Sequence, residues 1–313
     1  MNLRQLIEQY VYYRQALGER CSNAAILRSF GRALGAAADV GDVRPEQVDA
    51  FLAGTGPITN YWHVKYQALL GFYNYALNRG YVTQVPLPAK RPKPTPPFAP
   101  YVYSREELRR LLDAAGCYQR GESSLDPVTF RTILLLLYGT GLRDGEVIRL
   151  DRTDVDLANG VLTIRRTKFH KSRLVPFAPQ IGQVLTAYAG SHPASLARPG
   201  QDGPFFTTRK GNRIIQNTLQ AHFRRVRAQA GIRRPGGARS QPRLHDLRHA
   251  FAVHRLISWY QQGADVQKLL PQLSVYLGHA HLADTQVYLS MTVELLEQAN
   301  ARFERYAETG GQP

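Results

Sequence analysis

A chain of 313 residues, 43% of them apolar, is long enough for two domains and too apolar for disorder. Lysine and arginine number 40 against 24 acidic residues, and the excess of +16 directs the protein toward a polyanion, either nucleic acid or an acidic surface. Two cysteines without a CxxC pair, Cys21 and Cys117, exclude a disulfide scaffold and a thiolate zinc site, and the lack of any long apolar run makes a soluble, cytoplasmic protein with no membrane contact the expectation.

Residues 1–85 read as a small all-helical domain. Leu3, Leu6, Ile7, Tyr10 and Val11 recur at helical spacing, and residues 24–37 give a second apolar face. Pro45 suits a first helical position before Val48, Phe51 and Leu52, and residues 58–77 form a longer aromatic-rich helix that ends near Gly80. Its Tyr61, Tyr66, Phe72, Tyr73 and Tyr75 are expected to fill the interior rather than to stack on bases. Residues 86–101 are rich in proline and basic side chains, which excludes a helix or a central strand and predicts an extended linker.

Residues 102–313 make the larger domain. Ser104-Arg-Glu-Glu107 is a capping box that opens a helix, and residues 128–138 form an apolar helix buried on nearly every face. The period then changes. Residues 161–164 and 173–176 predict two strands joined by a basic turn, and residues 204–208 and 212–215 around Lys210-Gly211 predict another short hairpin. Helices are expected at 181–189, 219–230, 244–260, 266–277 and 293–306, with Pro271 breaking or restarting the fourth. The fold class is mainly α (α+β): an N-terminal helical domain and a larger, mostly helical domain with a small antiparallel sheet.

Four segments of the second domain carry chemistry. In Thr140-Gly-Leu-Arg143-Asp-Gly-Glu146, two glycines permit a sharp turn that displays Arg143, with Glu146 one helical turn on. Thr167-Lys168-Phe-His-Lys171 is the basic turn between the strands. His245-Asp-Leu-Arg248-His249 puts His245 and Arg248 on one helical face, a spacing that grips a phosphate from two sides. His245 and His249 also suggest half a zinc site, but the helical metalloprotease motif needs Glu after the first histidine, and Asp246 stands there. The last segment, Leu277-Gly-His279, is followed by Tyr288 nine residues after the histidine.

Taken together, Arg143, Lys168, His245-x-x-Arg248, Gly278-His279 and Tyr288 resemble the tyrosine recombinase, or phage integrase, family, and the Xer-like recombinases within it. The resemblance implies a helical core-binding domain at 1–85, a linker at 86–101 and a catalytic domain at 102–313. It implies Tyr288 as the nucleophile, Arg143 and Arg248 as the phosphate clamp, and Lys168, or Lys171 if the turn is shifted, as the acid for the leaving 5′-oxygen. His245 would assist removal of the tyrosine proton, His279 would donate to the phosphate, and Glu146 would steady the arginine. The implied chemistry is metal-free and cofactor-free recombination of double-stranded DNA sites, by a homotetramer on two sites with exchange of the C-terminal helix and with accessory proteins. Candidates to face DNA are the first domain and residues 216–227, with Arg224, Arg225 and Arg227. Strand relaxation of the type IB topoisomerase kind, and a relative that binds DNA without cutting it, are the other readings.

Overall fold

The computed structural model describes residues 1–19, 21, 23–93, 100–117, 124–165, 172–191, 202–237, 240–290, 297 and 300. It divides into two units, Met1–Pro97 and Phe98–Pro313.

The described residues of the first unit form the α-helices α1 (Leu3–Ala16), α2 (Ala24–Ala33), α3 (Pro45–Ala53) and α4 (Asn60–Asn78), with a 3-10 turn at Val40–Asp42. The apolar stripe of α1 is the predicted one, with Leu3, Leu6, Ile7, Tyr10 and Val11 all buried. Asn2 caps that helix by accepting from the backbone of Arg4 and Gln5, and Pro45 occupies the first turn of α3. Tyr66, Phe72 and Tyr73 are buried in the core, whereas Tyr61 is exposed and Tyr75 lies against Tyr10 and Tyr13. The aromatic stripe of α4 is thus only partly interior, because a 19-residue helix in a four-helix unit presents one face to solvent. The start of the proline-rich run is not a free spacer. Val85 and Leu87 pack on this core, Tyr66 Oη donates to the Pro88 carbonyl, and the Arg91 guanidinium lies 4.4 Å from the Tyr66 ring centre.

The second unit opens with α5 (Arg105–Cys117), whose capping box is present in both directions: Ser104 N–H donates to Glu107 at 2.9 Å, and Glu107 N–H donates to Ser104 Oγ at 3.1 Å. Next comes the apolar α6 (Pro127–Thr140), then the single turn α7 (Asp144–Val147). A three-stranded antiparallel sheet follows in the order β1 (Val155–Asp156), β2 (Val161–Ile164), β3 (Arg173–Pro176), with Ile164 paired to Arg173 and Val161 to Pro176. The remaining helices are α8 (Pro179–Ser191), α9 (Gln216–Gln229), α10 (Asp246–Gln261), α11 (Val266–Leu277) and the short α12 (Ala283–Gln286). The helix expected at 293–306 falls outside the described residues, except for Asn300 and Glu297.

Two expectations are corrected. Residues 204–215 turn tightly at Lys210-Gly211 as expected, with Thr208 N–H donating to the Asn212 carbonyl and one antiparallel bridge between Thr207 and Arg213, but the arms are not paired strands: Phe205 N–H donates to Leu150 and Arg152 N–H to Gly203, so the first arm pairs with the 150–152 stretch instead. Pro271 does not interrupt α11. It sits on the exposed face, and the carbonyl it leaves without a helical donor belongs to Gln267, also exposed, a position where solvent can satisfy a helix carbonyl. Among the described residues, no helix is long and apolar enough to cross a membrane.

Candidate active site

The site is built from the ends of elements in the second unit. Helix α6 stops at Gly141, in the left-handed region with φ 63°, and a Cβ there would lie within 2.9 Å of Phe251 and Leu277 side chains. Glycine is therefore required twice over. The chain re-enters helix at once, with Arg143 as the N-cap of α7 and Glu146 as its third residue. The Glu146 carboxylate accepts from the Arg143 backbone N–H and from its Nη1, both at 3.0 Å.

Glu146 also receives a guanidinium that the sequence reading passed over. Arg173 on β3 donates both terminal nitrogens to it, at 2.9 and 2.8 Å, and its Nε to the Tyr276 carbonyl at 3.1 Å. Arg143 Nη2 completes the knot by donating to the Gly278 carbonyl at 3.1 Å. One carboxylate, 5% exposed, thereby ties α7, β3 and the C-terminus of α11 together. Gly278 has φ 72°, and a Cβ on it would press on the Arg173 guanidinium at 2.8–3.1 Å. Burial pushes the Glu146 carboxyl up, but Arg173 first and Arg143 second outweigh that and hold it down at about 2.

A depressed carboxylate contributes stability that is complete above its ordinary value of 4.5 and disappears as pH falls through about 2. Glu146→Gln is expected to lose about 3 kcal/mol at neutral pH, since Arg173 keeps its charge in a largely enclosed position. Urea melts from pH 6 down to pH 2 check this: the wild-type advantage should shrink between pH 4.5 and 2 and be constant above. A constant difference across the whole range would show that the charge of Glu146 is not what matters.

Arg248, on the first turn of α10, is 2% exposed. Its two terminal nitrogens donate to the Gly141 carbonyl at 2.8 Å and the Leu277 carbonyl at 2.9 Å, the carbonyl ends of α6 and α11, where helix partial charge is negative. Burial, then Arg143, lowers its pKa to about 10, which leaves it a cation at neutral pH.

Tyr288 follows α12 in a 3-10 turn, Val287–Ser290, and is 3% exposed within an apolar cluster that includes Phe251, Leu256 and Leu277. Its hydroxyl lies 3.3 Å from His249 Nδ1. Burial raises the phenol pKa, and the neighbouring Arg248 and Arg143 oppose that without cancelling it. His279 Nδ1 is 2.6 Å from Thr285 Oγ1, with its ring 6.1 Å from that of Tyr288. Burial, with Arg248 and Arg143, holds His279 down to about 4, so it is neutral at pH 7. His245, half-buried at the N-cap of α10, lies edge-on to His249 at 5.0 Å between ring centres, and burial with Arg248 lowers its pKa as well.

Of the residues expected from sequence, the structure brings Arg143, Glu146, Arg248, His279 and Tyr288 together, with His245 one ring away from the phenol's histidine partner. Lys168 and Lys171 lie outside the described residues. On α9, Arg224 and Arg225 are exposed, but Arg227 is half-buried and donates to the Pro242 carbonyl at 2.6 Å, so it braces the fold. Gln216 and Gln220 of α9 both donate to Asp144, next to Arg143.

Known proteins resemble this chain over most of its length. A protein of Sinorhizobium fredii, provisionally named integrase/recombinase y4rE, is 39% identical over 302 residues, covering 96% of this chain and 95% of its own. Tyrosine recombinase XerC of Azotobacter vinelandii is 32% identical over 242 residues, 76% of this chain and 73% of its own. The XerH site-specific recombinase, solved as a post-cleavage complex on its palindromic difH substrate, shares the fold with a TM-score of 0.64 and 20% identity, covering 96% of each chain. Residues 102–294, from the segment before α5 to just past Tyr288, match the phage integrase family, and the chain belongs to that family of tyrosine recombinases.

Proposed function

We propose that this site breaks and rejoins DNA strands at specific sequences through a covalent bond between Tyr288 Oη and the 3′-phosphate of the cut strand. The observation that carries the reading is the burial of one phenol beside the Arg248 and Arg143 guanidinium groups and the His249 and His279 rings. A phosphoryl transition state places charge on its non-bridging oxygens, and two forked guanidinium groups fit them better than any other side chains. With Nδ1 against Thr285, His279 offers Nε2 to a phosphate oxygen. Proton delivery to the departing 5′-oxygen falls to Lys168 or Lys171 by the family resemblance.

The phosphotyrosine conserves the energy of the broken bond, so religation needs no nucleotide cofactor. Exchange of both strands between two duplexes takes four cuts, and each chain has one Tyr288, which supports a homotetramer on two DNA sites. The segment read as an exchanged C-terminal helix, and accessory proteins, belong to the same reading, as does action in the cytoplasm. The +16 charge excess and the exposed Arg224 and Arg225 support duplex DNA as the partner.

The test is covalent trapping. Purified protein in EDTA is incubated with labelled nicked duplexes tiled from the DNA that flanks its coding sequence, then denatured. A DNA adduct that survives denaturation in EDTA is the expected result. Supercoil relaxation without strand exchange would point to the topoisomerase reading, and tight binding with no adduct to the non-cleaving one. Cleavage abolished by EDTA would count against metal-free chemistry.

A further inference from the structure

Besides Arg248, the side chain in hydrogen-bond contact with the tyrosine is a histidine other than the one that the family resemblance nominates. His245, the first histidine of His245-Asp-Leu-Arg248-His249, lies edge-on against His249, and the ring of His249 in turn lies 5.6 Å from that of Tyr288. His249 Nδ1 lies 3.3 Å from the Tyr288 hydroxyl, and the other ring nitrogen, Nε2, faces a carboxylate, Asp246 Oδ1, at 3.9 Å. Asp246 is fully buried, and Arg243 fixes it with its backbone N–H at 2.7 Å and Nη2 at 2.9 Å. Asp246 and His249 are both on the first turn of α10, three positions apart, so the helix itself sets carboxylate and imidazole side by side. A nucleophile, a histidine in contact with it and a carboxylate behind the histidine is the arrangement by which enzymes activate hydroxyl groups.

We propose that His249 is a catalytic residue that accepts the Tyr288 phenol proton, with Asp246 stabilising the imidazolium so formed. This rests on the reading of Tyr288 as the nucleophile. In cleavage the Oη–H bond breaks, the proton bonds to His249 Nδ1, and the freed electron pair of Oη bonds to phosphorus. The bond from phosphorus to the 5′-oxygen breaks, and that oxygen takes a proton from the lysine acid. Religation reverses each step, with Nδ1 returning its proton to Oη.

The charges around the ring suit the task. Burial holds the imidazole down at about 4, with His245, Arg243 and Arg248 adding to this and Asp246 opposing it, so the ring is neutral at neutral pH, and the tautomer with its proton on Nε2, toward Asp246, is the one that accepts at Nδ1. A bound phosphodiester brings negative charge to the same pocket and favours the imidazolium as the transition state forms.

The test compares single-turnover cleavage by the wild type, His249→Asn and His245→Asn on the nicked duplex identified by trapping. A second version of that duplex has sulfur in place of the bridging 5′-oxygen, which leaves without needing a proton. Asparagine keeps a polar contact to the phenol but cannot hold its proton. The expected result for His249→Asn is a loss of roughly a hundredfold or more with DNA binding unchanged. The loss should be the same on the sulfur substrate, and the rate should rise with pH across the neutral and alkaline range as hydroxide replaces the base. His249→Asn cleaving within about threefold of the wild type overturns the proposal, as does a loss that the sulfur substrate restores or a defect larger in His245→Asn. Wild-type protein that forms no adduct on any duplex overturns the reading of Tyr288 itself, a separate failure.

Discussion

Tyr288→Phe protein should bind its DNA site as the wild type does and form no covalent adduct. The substitution removes one oxygen from a ring that is otherwise held by apolar neighbours on α10 and α11, so the cluster around Phe251, Leu256 and Leu277 keeps its shape. The lost hydroxyl contacts with His249 and Arg248 are worth about 1–3 kcal/mol together, too little to unfold the unit. Without Oη no other group takes its place in the cage, and the loss of cleavage should be on the order of ten-thousandfold or more. A denaturing gel of trapped DNA, run beside a gel-shift titration, reads both quantities. An adduct of undiminished yield from the phenylalanine protein would mean that another of the 17 tyrosines is the nucleophile, and peptide mapping of the adduct would name it.

What the sequence disclosed and what it hid separate along physical lines. Periodicity gave the buried face of α1 and nearly the span of α10, and the capping box gave the start of α5, because those signals are local, and the alternation in residues 161–164 and 173–176 gave β2 and β3 at their observed bounds. The candidate site was legible only as a pattern of separated motifs, since nothing local makes Arg143, Arg248 and Tyr288 neighbours. Arg173 was missed, although its signal was present: it shares a strand face with the buried Val175, and a charge on an inward face demands an opposite charge, here Glu146. The choice between His245 and His249 was hidden for a different reason. Both lie near the start of one helix, and only the tertiary placement of the 3-10 turn carrying Tyr288 decides which ring meets the phenol. Pro271 misled because the rule against proline inside helices weighs less where the freed carbonyl faces water.

Arg248→Lys separates charge from shape at the centre of the site. Lysine keeps the positive charge, but its single nitrogen does not span the Gly141 and Leu277 carbonyls that the guanidinium joins. One of these helix-terminal acceptors then stays buried without a donor, a cost of about 1–3 kcal/mol, and the C-termini of α6 and α11 lose their common tie. The consequence for chemistry exceeds the consequence for stability. The backbone bonds of Arg248 hold its guanidinium plane beside Tyr288, so the group needs no rearrangement when the phosphate gathers charge, and such preorganised donors are worth roughly a hundredfold to a thousandfold in rate. The expected outcome is therefore a melting temperature lowered by a few degrees, with single-turnover cleavage reduced by about that factor at a temperature where the variant is fully folded. Cleavage by Arg248→Lys within about threefold of the wild type would show that any nearby cation suffices, and that the forked geometry tying α6, α10 and α11 together serves the fold alone.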